Sequence, residues 1–193
     1  MKESPPFEIN PVHEAFYILS LLFCTKSAKD SAYALMDLLH RFEEGDQDFE
    51  HQVPLNHVQN IVLQAAAVSR FFWPSDNRHD WRGLALRQAF HISDSSALHS
   101  RKLRNTMEHY DEYLDDFLRR EFAGQFIPDY FGLKPQQERG PLKIFRAYFV
   151  NTGEFEILGS LFSISPIVDE LALLHNMLLE CEENGLCFPL LTR

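Results

Sequence analysis

Leu103, Met107, Tyr110, Leu114 and Phe117 recur at spacings of three and four within the run Leu98 to Glu121. That period places five large apolar side chains on one stripe of a long helix and leaves the rest of its surface polar. A chain built around such a segment must bury the stripe against other helices or a sheet. Similar stripes precede it. One predicted helix starts near Pro11 and runs through Ala15, Phe16, Ile18, Leu19, Leu22 and Phe23, and a second starts after Ser27 and ends at Glu43-Glu44-Gly45, where glycine is a natural stop. A third spans about Leu55 to Phe72 and is closed by Pro74, and a shorter one runs from about Asp80 to His91. Ser93-Asp94-Ser95-Ser96 then caps the long helix, since short polar side chains satisfy free N–H groups there.

After Ala123-Gly124 the pattern changes. Phe126 to Gly140 carries Pro128, Gly132, Pro135 and Gly140 and is predicted to be loop, because those residues interrupt regular elements. Lys143 to Val150 and Glu154 to Leu158 are β-prone and flank Asn151-Thr152-Gly153, which predicts a hairpin. A last helix is expected from Ser165-Pro166 to Glu183. The fold class read from this is mainly all-α: an antiparallel bundle of five to six helices in one domain. A loop and hairpin are inserted at about 124–160, with the hairpin near 143–158 and packed on its own subunit. Leu19, Leu22, Ile61, Ala65, Leu103, Met107, Leu114 and Leu171 are the expected core.

With 193 residues and a formal charge of −10, the chain suits one domain and cannot coat nucleic acid broadly, since that requires basic surface. Any RNA contact must be local. Arg101, Lys102 and Arg104 are the candidates, with Arg78, Arg82 and Arg87 as neighbours. Cys24, Cys181 and Cys187 show no pairing pattern, so a reducing cytoplasm is expected. Cys181, Cys187 and His175 lack metal-ligand spacing, and neither metal nor other cofactor is expected. No apolar run approaches a membrane span.

The chemistry-bearing residues are Arg104, Asn105 and His109. On a helix, Asn105 is one turn from His109 and Arg104 flanks the same polar face. An imidazole with an ordinary pKa of about 6.5 can move protons near neutrality. A guanidinium is permanently charged and matches two phosphate oxygens. Asn105 would orient the phosphate or the imidazole. Those three types suit RNA cleavage without a metal. The other reading is structural: Arg104 pairs with Glu108, and His109 holds helices together.

Leu103-Arg104-Asn105 with His109 resembles the motif of the HEPN superfamily, helical nucleotide-associated proteins that include many ribonucleases. The segment from Trp81-Arg82-Gly83 to Glu108-His109-Tyr110-Asp111-Glu112 is similar to bacterial members. The resemblance implies a homodimer in which two motifs face one another, an RNA substrate, and a toxin–antitoxin or phage-defence setting with a partner protein. It equally accommodates a non-catalytic RNA- or nucleotide-binding or dimerisation module. Family toxins paired with a nucleotidyltransferase carry Tyr two positions after the His. Here that position is Asp111, and Tyr110, a candidate binding residue, is adjacent to His109.

Overall fold

The structure, a computed structural model, describes residues 9–189 apart from positions 47, 121 and 136–141. Two long helices form the frame: α1, Pro11–Glu43, and α2, Gln52–Phe72. Asn10 caps α1 by accepting from the His13 N–H at 3.1 Å, and Gly45, at φ +86°, lies just past its end. The inner face of α1 presents Ile18, Leu21, Leu22, Ala28, Ala32 and Leu35 to Leu55, Val58, Ile61, Val62, Ala65 and Ala66 of α2.

The two helices expected before Gly45 are thus one. Thr25, Lys26 and Ser27 read as a polar break, but each is accommodated inside a continuous helix. Thr25 returns its hydroxyl to the Leu21 carbonyl at 2.9 Å and Lys26 pairs with Asp30 at 2.6 Å. Ser27 and Ser31 meet the Asn60 amide of α2 at 3.1 and 2.8 Å. Leu19, expected in the core, is 45% exposed, because α1 is apolar on its outer face as well as its inner one. Leu22, Ile61, Ala65, Leu103 and Leu171 are buried, whereas Met107 and Leu114 are half-buried.

A 3-10 turn at Asn77–His79 leads into α3, Asp80–Ala89, and another at Ala97–His99 precedes α4, Arg101–Glu108. α5 spans Tyr110–Arg119 and α6 spans Ser165–Glu183, packed along α1. The stretch predicted as one helix from Leu98 to Glu121 therefore starts late and breaks at His109 (φ −113°, ψ 38°). The break lets each half bury its apolar side against a different partner. Leu103 and Thr106 of α4 are buried, and α4 packs on α2. Tyr110 and Phe117 of α5 turn instead to Phe145, with ring centroids 6.4 and 6.1 Å away.

Phe145 belongs to a four-stranded sheet of β1 Gln125–Gly132, β2 Leu142–Phe149, β3 Glu154–Ile157 and β4 Ser160–Ser163, in that order. The expected hairpin is present as β2 and β3, paired antiparallel, with Gly153 in its turn at φ +64°. Two strands were not expected. The segment at 126–132, predicted as loop, is an edge strand parallel to β2. Pro128 fits there because an edge strand does not need every N–H donor. β4 follows a tight turn at Leu158 and Gly159, φ +52° and +74°, the double left-handed geometry of a hairpin turn. The sheet solves the instability of a lone hairpin by seating on the bundle: Arg146 pairs with Asp129 at 2.9 Å and donates to Gln59 of α2 at 2.7 Å. Phe145 joins the main core, while Ala147 and Phe149 pack with Ile144 in a small second cluster.

Candidate functional site

The last carbonyl groups of an α-helix have no partner within it. At the end of α2 three arginines supply the partners. Arg82 Nη2 donates to the Arg70 carbonyl at 2.9 Å, Arg87 Nη1 to that of Phe72, and Arg104 Nη1 to that of Trp73 at 2.7 Å. Cations also suit the negative end of the helix dipole. α3 reaches α2 this closely because Gly83 has no side chain: a Cβ there would lie 2.5 Å from the Phe72 oxygen and 2.7 Å from Pro74 Cδ.

Around this end the ring of Trp73 stacks on that of His99, centroids 4.4 Å apart and 14° from parallel, and the Arg87 guanidinium lies 5.7 Å from the Trp73 ring centre. The Trp73 indole N–H donates to Asp94 at 2.9 Å and holds that carboxyl below its ordinary range. His99 Nδ1 lies 2.9 Å from the Asp94 carbonyl oxygen, an acceptor only, so this nitrogen carries the proton. Glu170 of α6 caps the turn before His99, accepting from Ser96 and from the Ala97 N–H at 2.7 Å.

The motif sits on this platform. Ser100 caps α4 through the Leu103 N–H at 3.2 Å. Asn105 and His109 are both exposed and stand one turn apart, the His109 N–H bonded to the Asn105 carbonyl at 2.9 Å. His109 Nδ1 lies 3.7 Å from Glu112, and both side chains are more than half exposed, which makes this a weak, screened pair. Arg104 does not pair with Glu108, as the structural reading of the sequence expected: Glu108 takes Arg70 at 2.5 Å, and Arg104 takes the Trp73 carbonyl.

The expected basic patch is divided. Arg101 and Lys102 are exposed, the Lys102 ammonium lying 5.6 Å from the Phe162 ring centre. Arg82, Arg87 and Arg104 converge on the end of α2. Arg78 lies in the exposed turn before α3, bound to Asp76 at 2.5 Å, where its guanidinium lowers that carboxyl to about 2. Tyr110 is half-buried against Phe145, and burial raises its phenol above the ordinary value. Arg70, Trp73, Asp94 and His99 were not anticipated. Arg70 reads as one solvated position of an amphipathic helix, and nothing local links 73, 94 and 99. Among the described residues there is no His/Cys/Asp/Glu group that could hold a metal, and no helix is long and apolar enough to cross a membrane.

Comparison with protein-family models, with curated proteins and with solved structures gave no match.

Proposed function

We propose that the corner between α4 and α5 is a metal-independent endoribonuclease site of HEPN type. The observation that carries this reading is the placement of exposed Asn105 and His109 beside an anchored Arg104. One of the five Arg104 N–H donors is used on the Trp73 carbonyl, which fixes the guanidinium and leaves other donors for a phosphate. Donors fixed in advance stabilise developing charge without reorganisation. Arg101 and Lys102, both exposed on α4, add local positive charge to an acidic chain.

In this mechanism His109 removes the proton of a ribose 2′-hydroxyl, and the 2′-oxygen attacks the adjacent phosphorus. Arg104 stabilises the charge on the crowded phosphate. The P–O5′ bond breaks, and a protonated imidazole supplies the leaving oxygen with a proton. Products are a 2′,3′-cyclic phosphate and a 5′-hydroxyl. One imidazole cannot serve as base and acid at once, so a homodimer that brings a second His109 to the phosphate completes the site. A partner protein that restrains the nuclease, as in toxin–antitoxin or defence systems, belongs to the same reading.

The tie between Arg104 and Trp73 also favours a second reading, a non-catalytic HEPN-like RNA-binding or dimerisation module in which Arg104 is a helix cap. The two separate in a cleavage assay on mixed single-stranded RNA in EDTA. For a nuclease, His109→Ala and Arg104→Ala each lose at least about two orders of magnitude in rate, with helical signal and mass unchanged. Equal cleavage by wild type and His109→Ala rejects the nuclease and leaves the binding module.

A further inference from the structure

The outer face of α1 carries Val12, Phe16, Leu19 and Phe23, which are 62, 66, 45 and 75% exposed. Their spacing of four, three and four is that of a helix seam made to meet another helix. Isolated exposed apolar residues need no explanation, but four in register over three turns do. From this stripe we infer that two copies of the chain associate through the N-terminal halves of their α1 helices, packed antiparallel about a two-fold axis.

A second copy is the occupant that the residues fit. Turned antiparallel, the stripe is complementary to itself: Val12 opposes the partner's Phe23, and Phe16 opposes the partner's Leu19, so large side chains meet smaller ones in every layer. Charge points the same way. A chain of net charge −10 repels its own copy over most of its surface and can meet it closely only where carboxylates are missing. Between positions 11 and 25 the one acidic residue is Glu14, and its carboxylate is turned aside to accept from the Phe188 N–H at 2.7 Å. Beyond the stripe, Lys26 and Asp30 neutralise each other at 2.6 Å. No basic residue lies among the four stripe positions, so a nucleic acid has nothing to bind there.

The size of the face sets the strength. With aromatic side chains offering about 150–250 Å² each, the two phenylalanines contribute on the order of 280 Å² per copy, and Val12 and Leu19 add roughly 150 Å². Two copies therefore bury about 900 Å², below the roughly 1,200 Å² at which stable specific interfaces begin and in the range of weak, transient ones. A dimer that dissociates in the micromolar range is the consequence. This face is separate from the motif corner, so the pairing that would bring two His109 side chains together in the nuclease reading is a second and different contact.

The test is the mass of the full chain in solution by light scattering or sedimentation, from low to high micromolar concentration. Phe16→Glu combined with Phe23→Glu alters only exposed positions, so the far-ultraviolet helical signal stays that of wild type while the mass at high concentration falls twofold. Leu173→Glu, equally exposed on α6 at 65%, leaves the mass unchanged. Wild type that is monomeric throughout, a stripe variant with wild-type mass, or a Leu173→Glu variant that dissociates as fully would each overturn the proposal. A wild-type mass retained by the stripe variant but lost on substitution at Asn105 would instead assign the dimer to the motif corner.

Discussion

Gly83→Ala is expected to destabilise this protein although the substitution improves the helix it sits in. In an exposed helix interior, alanine in place of glycine gains about 1 kcal/mol. At position 83 the new methyl would meet the Phe72 carbonyl oxygen at 2.5 Å, Pro74 Cδ at 2.7 Å and Arg87 Nη1 at 3.2 Å. The first two atoms belong to backbone and a proline ring, which cannot swing aside. To restore ordinary contact distances of ~3.5 Å, α3 must retreat from the end of α2 by about 1 Å. That retreat strains the packing, at about 1–3 kcal/mol. It also pulls Arg87 from the Phe72 carbonyl, a charged hydrogen bond worth about 1.5–3 kcal/mol. Set against the helix gain, the net loss is about 1.5–5 kcal/mol. Urea unfolding followed by circular dichroism measures it as a lower midpoint at unchanged slope. A Gly83→Ala variant as stable as wild type, or more stable, would refute the close approach of α3 to α2 and with it the arginine capping of that helix end.

Burial of particular side chains sets three more expected outcomes. Phe155 is fully buried where the sheet meets the bundle, so Phe155→Ala should cost about 3–5 kcal/mol in the same unfolding assay. His175 is buried against Thr25, 2.9 Å from its hydroxyl, and burial, reinforced by Lys29, lowers its pKa below the ordinary 6.5. The unfolded chain then takes up the proton first, so this contribution to stability is complete above pH ~6.5 and declines as pH falls below it. His175→Gln should flatten that decline in urea midpoints recorded from pH 7.5 to 5. Cys187 is exposed whereas Cys181 is buried with its thiol pKa raised by that burial; mass spectrometry after brief iodoacetamide treatment at neutral pH should find Cys187 alkylated before Cys181.

Much of the helical frame is legible in the sequence because apolar period and end signals coincide, as in α2 before Pro74 and α6 after Pro166. Where they conflict, tertiary contacts decide. Ser27 looks like a boundary until Asn60 is placed opposite it, and Leu19 looks like core because both faces of α1 are apolar. Pro128 argues against a strand unless the strand lies at an edge, which depends on where the sheet ends. The break at His109 has no glycine or proline to announce it; it reflects the two separate surfaces that α4 and α5 cover. The motif residues themselves were legible as residue types. Their setting was not, because Arg104 depends on a carbonyl 31 positions earlier in the chain and His99 on a ring 26 positions earlier.

In the proposed reaction His109 and Arg104 promote attack of a ribose 2′-oxygen on its own phosphate. That step is checked with an oligoribonucleotide that wild type cuts at a mapped bond, compared in EDTA with the same oligonucleotide carrying a single 2′-deoxy sugar on the 5′ side of that bond. The expected result is a 2′,3′-cyclic phosphate product from the first substrate and no cleavage at that bond in the second. Cleavage of the 2′-deoxy bond, or a wild type that cuts neither substrate as a confirmed dimer, would contradict it.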